Sequence, residues 1–300
     1  MAVDDAEVVL GGYPAKWCPR RTHNDHSPDS PEPLDVSPEV QKLFDRGNEF
    51  EADVTDALRD ALGDRMLLIE DSGSWDDAVA ATTAAMDAGV EVVVNARLPK
   101  AGHRAGAPDV LVRADDGYLP VDIKGHGLLA TRKRSILVHS TLDEPTGRRS
   151  TAGRAGNKHR PENTLQLAHY TRLLEDLGRH PGGRRWGGIV GTDDHTGLGG
   201  SALGIVWYDL DEPIETTYSA SSPTRRTTRS PMERYDHEFA FRLKVAEAAR
   251  RGEELVRPIG IAECGGCKWV EYCTSLVAED DASFAIVTPE LDAREWLFLA

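Results

Sequence analysis

The chain is short of several things, and each shortage excludes a class of protein. Cysteine is scarce, four in 300 residues, too few to staple a secreted scaffold with disulfides. The opening MAVDDAEVVLGGYP sets acidic residues and a Gly-Gly-x-Pro break where a secretory leader needs a basic and then an apolar stretch. No uninterrupted apolar run approaches the ~20 residues of a membrane span, so no membrane partner is expected. The expectation is a cytoplasmic protein in a reducing compartment, where thiolates are open to metals. No internal repeat occurs, and no GxxxxGK[ST] loop, so the chain carries no P-loop motor. GTDDHTGLGG is glycine-rich but lacks a nucleotide-binding pattern and reads as a loop.

Positive charge is also in short supply: 35 Lys and Arg stand against 50 Asp and Glu, a net charge of -15. Such a balance ordinarily argues against a nucleic-acid partner. The charge is uneven, however, because residues 124 to 185 hold 13 Lys and Arg against 5 Asp and Glu. Within them GRRSTAGRAGNKHRP is basic, glycine-rich and without hydrophobic periodicity, and reads as a mobile loop after a strand. Arg148, Arg149, Lys158 and Arg160 are its candidate DNA contacts.

At 40% hydrophobic residues, the chain can bury a full core. A helical pattern runs from Pro38 through VQKLFDRGNEFEADVTDALRDAL. A strand MLLIE, an Ala-rich helix over WDDAVAATTAAMDAG and a strand VEVVVNARL follow. Two strands flank an Asp-Asp-Gly turn in PDVLVRADDGYLPVDIKG, then come a strand SILVHS and an amphipathic helix PENTLQLAHYTRLLEDLG with Pro in its first turn. Strands WGGIVG and ALGIVWYDL complete a mixed sheet, SASSPTRRTTRSPMER reads as linker, and a helix leads into ECGGCKWVEYC. This alternation predicts an α/β fold, a mixed central sheet flanked by helices.

Three of the cysteines, Cys264, Cys267 and Cys273, lie within ten positions, and the fourth, Cys18, lies at the other end of the chain. Zinc and an iron–sulfur cluster both accept four thiolates, and spacing alone does not separate them. If the four act together, the two ends of the chain meet.

The hairpin carries the other chemistry. If Asp116-Gly117 is a two-residue turn, Asp109 lies opposite Lys124 and Leu111 opposite Asp122. Side chains alternate, so Asp109, Asp122 and Lys124 share one face, with Val110 and Ile123 on the other. A four-residue turn keeps that parity; a three-residue turn destroys it unless a bulge intervenes. Buried ions without partners cost several kcal/mol. A divalent cation resolves the conflict, because Asp109 and Asp122 offer hard oxygen ligands for Mg²⁺ or Mn²⁺. Lys124 can then stabilise charge on a phosphate or orient an attacking water.

PD, some ten residues, then DIK resembles the PD-(D/E)xK nuclease superfamily, and further marks resemble its RecB-like branch. RGNEFE looks like that branch's first helical motif and puts Glu51 at the metal-ligand position, while Gln166 and Tyr170 match its QxxxY signature. Being i and i+4, these two face the same way from their helix. CPRR early and CxxCx5C late look like the four-cysteine staple of AddB-type and CRISPR-associated RecB-like exonucleases, from which Cys18 follows as the fourth ligand beside Cys264, Cys267 and Cys273. Glu51 stands where many relatives carry histidine, and Asp122 where glutamate is commoner; Glu49 reads as a solvated charge.

The resemblance implies a restriction-endonuclease-like core over residues 36–215, with an iron–sulfur region formed by 1–35 and 216–300. It implies a DNA exonuclease in which Glu51, Asp109 and Asp122 hold Mg²⁺ or Mn²⁺ and Lys124 acts with Gln166 and Tyr170. A [4Fe-4S] cluster would join the termini, with zinc as the alternative. Expected partners are DNA, single-stranded or with free ends, and a helicase or a repair or adaptation protein. A non-catalytic DNA-binding scaffold is the competing reading.

Overall fold

The computed structural model describes residues 7–71, 73–156, 161–219 and 221–277. In chain order the elements are α1 (Pro19–His26), α2 (Pro38–Leu62), β1 (Met66–Leu68), α3 (Trp75–Asp87), β2 (Val92–Val94), β3 (Leu98–Ala101), β4 (Arg104–Gly106), β5 (Val110–Ala114) and β6 (Gly117–Ile123). Then follow β7 (Leu129–Thr141), β8 (Arg149–Gly156), α4 (Pro161–Asp176), β9 (Trp186–Val190), β10 (Gly204–Asp209), β11 (Glu215–Tyr218), β12 (Arg226–Arg229), α5 (Pro231–Arg250) and α6 (Val270–Ser275). Serines cap the helices: Ser37 Oγ accepts from Val40 N, Ser74 Oγ from Asp77 N, and Ser230 forms a reciprocal capping box with Glu233.

Eight strands make one mixed sheet in the order β1-β2-β5-β6-β9-β10-β7-β8. β1/β2 and β6/β9 pair parallel and the other neighbours antiparallel. Alternation sorts the two faces. Val110, Val112, Val121 and Ile123 pack under Val54, Leu58 and Leu62 of α2. Leu111 and Tyr118 face the other way, against Met86 of α3 and Leu173 and Leu174 of α4. α5 lies beyond α4, where Tyr235 and Phe239 share a core with Leu165, Leu167 and the N-terminal residues Val8, Leu10 and Ala15.

Several local expectations change. Within the basic segment expected as a mobile loop, Arg149–Gly156 forms β8, paired along β7 from Leu129↔Gly156 to His139↔Arg149. Its glycines hid the strand; a long partner supplies what propensity lacks. SASSPTRRTTRSPMER, expected as linker, yields β12 and the start of α5, with β12 closing on β11 as a separate two-stranded ribbon. The short helix α1 has no apolar periodicity, and it buries Arg20, Thr22, His23 and Asn24 instead.

The hairpin turn also moves. Ala114 pairs with Gly117, so the loop residues are Asp115-Asp116, and Leu111 faces Pro120 rather than Asp122. Asp115 takes the left-handed conformation (φ 50) that the turn needs. Gly117 is required for closeness instead, since a Cβ there would sit 2.4 Å from Pro181 N and 2.6 Å from Arg179 O. A slip of two preserves parity, so Asp109, Asp122 and Lys124 remain on one face.

Candidate functional site

Extending the register one step past Val110↔Val121 sets Asp109 directly across from Asp122. Asp109 Oδ2 accepts from Ile123 N at 2.6 Å, which fixes its carboxylate beside the neighbouring strand. Asp122 is fully buried and ion-paired with Lys124. These side chains open onto a cleft of about 300 Å³ that is also lined by Glu51, Gln166, Tyr170, Tyr13 and Trp75. Residues from α2, the hairpin and α4, singled out from separate stretches of sequence, therefore meet at one place. Glu49 is exposed, as expected.

The electrostatics of the cleft are those of crowded carboxylates. Burial, and then the adjacent Asp122, push the Asp109 carboxyl well above the usual carboxylate range. Desolvation also raises Glu51, with Lys124 pulling the other way. Burial works against the charge on Lys124, yet Asp122 and Asp109 outweigh it and raise its pKa. Asp122 Oδ2 faces the Lys124 ammonium as its counter-charge. A buried pair of facing carboxylates is a donor set that suits a hard divalent cation. Among the described residues, no three His, Cys, Asp or Glu side chains stand together as a metal-holding group. Asp109 and Asp122 are paired, and Glu51 lies on the cleft wall without joining them.

Helix α4 supplies the amide. Its i, i+4 spacing turns Gln166 and Tyr170 to the same side, and Gln166 Nε2 donates to Tyr170 Oη at 3.0 Å and reaches Asp122 Oδ1 at 3.4 Å. The Tyr170 hydroxyl is held neutral, burial raising its pKa well above the ordinary value. Gln166 Oε1 accepts from Lys124 Nζ at 3.4 Å and, more closely, from Lys16 Nζ at 2.7 Å. Neither Lys16 nor the cleft-lining Tyr13 was expected here. Burial, then Lys124, lower the Lys16 pKa to about 8. The only sequence signal was proximity: Lys16 lies two residues before Cys18.

The four cysteines come together from both ends of the chain. Cys18, Cys264, Cys267 and Cys273 line one small cavity with Ile259, Glu263 and Trp269, and none forms a disulfide. Their sulfurs receive polar hydrogens at 3.5 Å from Ile261 N on Cys264, Trp269 N on Cys267 and Asn24 Nδ2 on Cys273. Burial, and then Glu263, push the Cys18 thiol up to about 12. Among the described residues these cysteines do not themselves stand as a metal-holding group. Four thiolates are a donor set that zinc and an iron–sulfur cluster both accept.

The expected DNA contacts divide. Lys158 and Arg160 lie outside the described residues. Arg149 pairs with Glu144 at 2.8 Å, and Arg148 lies over the rings of Trp186 and Trp207, which belong to the α2 side of the sheet. Neither arginine is among the residues lining the cleft. No described helix is long and apolar enough to cross a membrane. Comparison with protein-family models and with curated proteins returns no match, so the residues' own geometry carries the reading.

Proposed function

We propose that this chain is a metal-dependent DNA nuclease, an exonuclease acting on single-stranded or end-bearing DNA. In this reading the sheet is a restriction-endonuclease-like PD-(D/E)xK core of the RecB-like kind, with an iron–sulfur region tying the two ends together. One observation carries it: Asp109, Asp122, Lys124 and Gln166 converge on a single cleft with Glu51 on its wall. A scaffold has no use for a closely paired set of buried carboxylates, in which burial and Asp122 push Asp109 well above the usual carboxylate range. Tyr13 and Trp75, 45% and 42% exposed on the same cleft, suit unpaired bases, whose faces stack on aromatic rings.

Asp109 and Asp122 would hold the cation, with Glu51 as a further oxygen donor. A bound Mg²⁺ or Mn²⁺ supplies Lewis acidity and an acidified water. Hydrolysis adds water at phosphorus and breaks one P–O bond, and negative charge builds on the phosphoryl oxygens and the leaving oxygen. Lys124, kept charged by the aspartates, offsets that build-up. Gln166 fixes the Lys124 ammonium through its carbonyl, and Tyr170 fixes Gln166. Cys18, Cys264, Cys267 and Cys273 would bind the cluster as a structural tie. Digestion of end-labelled linear and circular single-stranded DNA in Mn²⁺ tests the reading: mononucleotides or short ends from linear DNA, with circles intact, are expected. Cut circles would make it an endonuclease, and no cleavage would leave a binding scaffold.

A further inference from the structure

The N-terminal arm, residues 8–17, is built into the cleft's rim. Leu10 N donates to His103 O at 2.9 Å, Ala105 N donates to Leu10 O at 3.0 Å, and Ala15 is buried in the core shared by α4 and α5. Two groups from the C-terminal part of the chain then clamp its end. Arg242 of α5, buried and paired with Glu238 at 2.8 Å, donates to Trp17 O at 2.7 and 3.2 Å. Glu263, the neighbour of Cys264, accepts from Cys18 N at 2.9 and 3.1 Å. Lys16 sits between these anchors, with its ammonium 4.3 Å from the centre of the Tyr13 ring and 2.7 Å from Gln166 Oε1.

One amide oxygen thus receives two ammonium groups, Lys16 and Lys124. Like charges this close repel, and a shared anion would relieve them. A phosphodiester of the proposed DNA substrate is such an anion.

We propose that Lys16 is a second phosphate-binding lysine of this cleft, held in place by the cysteine-bearing region through the Glu263–Cys18 and Arg242–Trp17 contacts. The inference rests on the nuclease reading and adds to it a physical link between cysteines and substrate. Lys16 positions the phosphate next to Lys124, and the arm cannot shift at Cys18 without moving it.

The test is binding of a fluorescein-labelled single-stranded oligonucleotide in Ca²⁺, which takes the same oxygen ligands, across a salt series. Lys16→Gln keeps a donor for Gln166 and removes the charge; Lys16→Arg keeps the charge. Lys16→Gln should bind about tenfold more weakly, as expected for one charged hydrogen bond, and its log–log salt slope should fall by roughly 0.7. Lys16→Arg should restore most of both, and neither variant should change the melting temperature of the protein. Wild-type affinity and slope in Lys16→Gln, from an enzyme that cleaves DNA, would overturn the Lys16 assignment alone. Absence of both binding and cleavage in the wild type would remove the nuclease reading and this inference with it.

Discussion

The cleft and the cysteine centre are held in opposite ways. The cleft is walled by the sheet and by α4, a helix buried along most of its length, and the apolar clusters on either side contain over a dozen fully enclosed side chains. The cysteine centre has a small apolar cluster, Ile259 and Ile261 with Cys18 and Cys264 against them, and the buried Trp269 beside it. Polar contacts also join its halves: Arg20 to Val256 O at 2.8 Å, Trp269 Nε1 to Asp25 at 2.9 Å, and Leu34 N to Lys268 O at 3.0 Å. This apolar cluster is much smaller than those around the cleft, so less packing opposes the entropy of holding two distant segments together. The first region is held by packing, and the proposed iron–sulfur cluster would add a cross-link to the second. The arm carrying Lys16 is where the two regions meet.

Removing a ligand of the proposed cluster should give the largest effect. Cys18 and Glu263 are 245 positions apart, and a cross-link spanning such a loop stabilises by on the order of 5 kcal/mol in the chain-entropy estimate. Cys18→Ser should therefore lose iron and colour, melt at lower temperature and become protease-sensitive at its ends. Its surviving folded fraction should bind DNA more weakly through displacement of Lys16 while still binding Mn²⁺ at Asp109 and Asp122. Full iron content with wild-type melting would remove Cys18 from the ligand set and direct attention to His23 or His26.

A smaller effect sharpens the comparison from the cleft side. His169, fully buried on α4, donates from Nε2 to Ala105 O and accepts from the Tyr235 hydroxyl at Nδ1, each at 2.9 Å. Burial lowers its pKa to about 4, so the unfolded chain binds the proton first as pH falls. Stability from this group is complete above pH ~6.5 and declines towards pH 4, by on the order of 3 kcal/mol. Urea midpoints measured between pH 7 and 4 should show that decline in the wild type and lose it in His169→Gln. An equal slope in both would assign the acid sensitivity elsewhere.

Part of the site was legible because its spacing is physical: alternation put Asp109, Asp122 and Lys124 on one face even with the turn misplaced by two residues. Glu51, Gln166 and Tyr170 were singled out by the motif resemblance, and helical spacing then turned Gln166 and Tyr170 to one side. The coarse α/β architecture followed from the order of apolar runs. What escaped depends on tertiary partners. β8 reads as loop until β7 is beside it, Gly117 reads as a turn residue until the 179–181 backbone is seen against it, and Arg148 reads as a free cation until two tryptophans lie under it. Lys16 carries no motif of its own, and only the meeting of the chain's two ends brings it to Gln166.

The most direct test of the central claim is the Mn²⁺-dependent hydrolysis rate of end-labelled single-stranded DNA by wild type and by Lys124→Ala. Asp109 and Asp122 lose their counter-charge in that variant but no large apolar area, so it should stay folded, and Mn²⁺ binding should be retained. The account predicts metal-dependent cleavage by the wild type and a loss of roughly 10²–10³-fold in Lys124→Ala, the scale for removing one group that stabilises developing charge. A wild-type rate in Lys124→Ala, or no metal-dependent cleavage by the wild type, would contradict it.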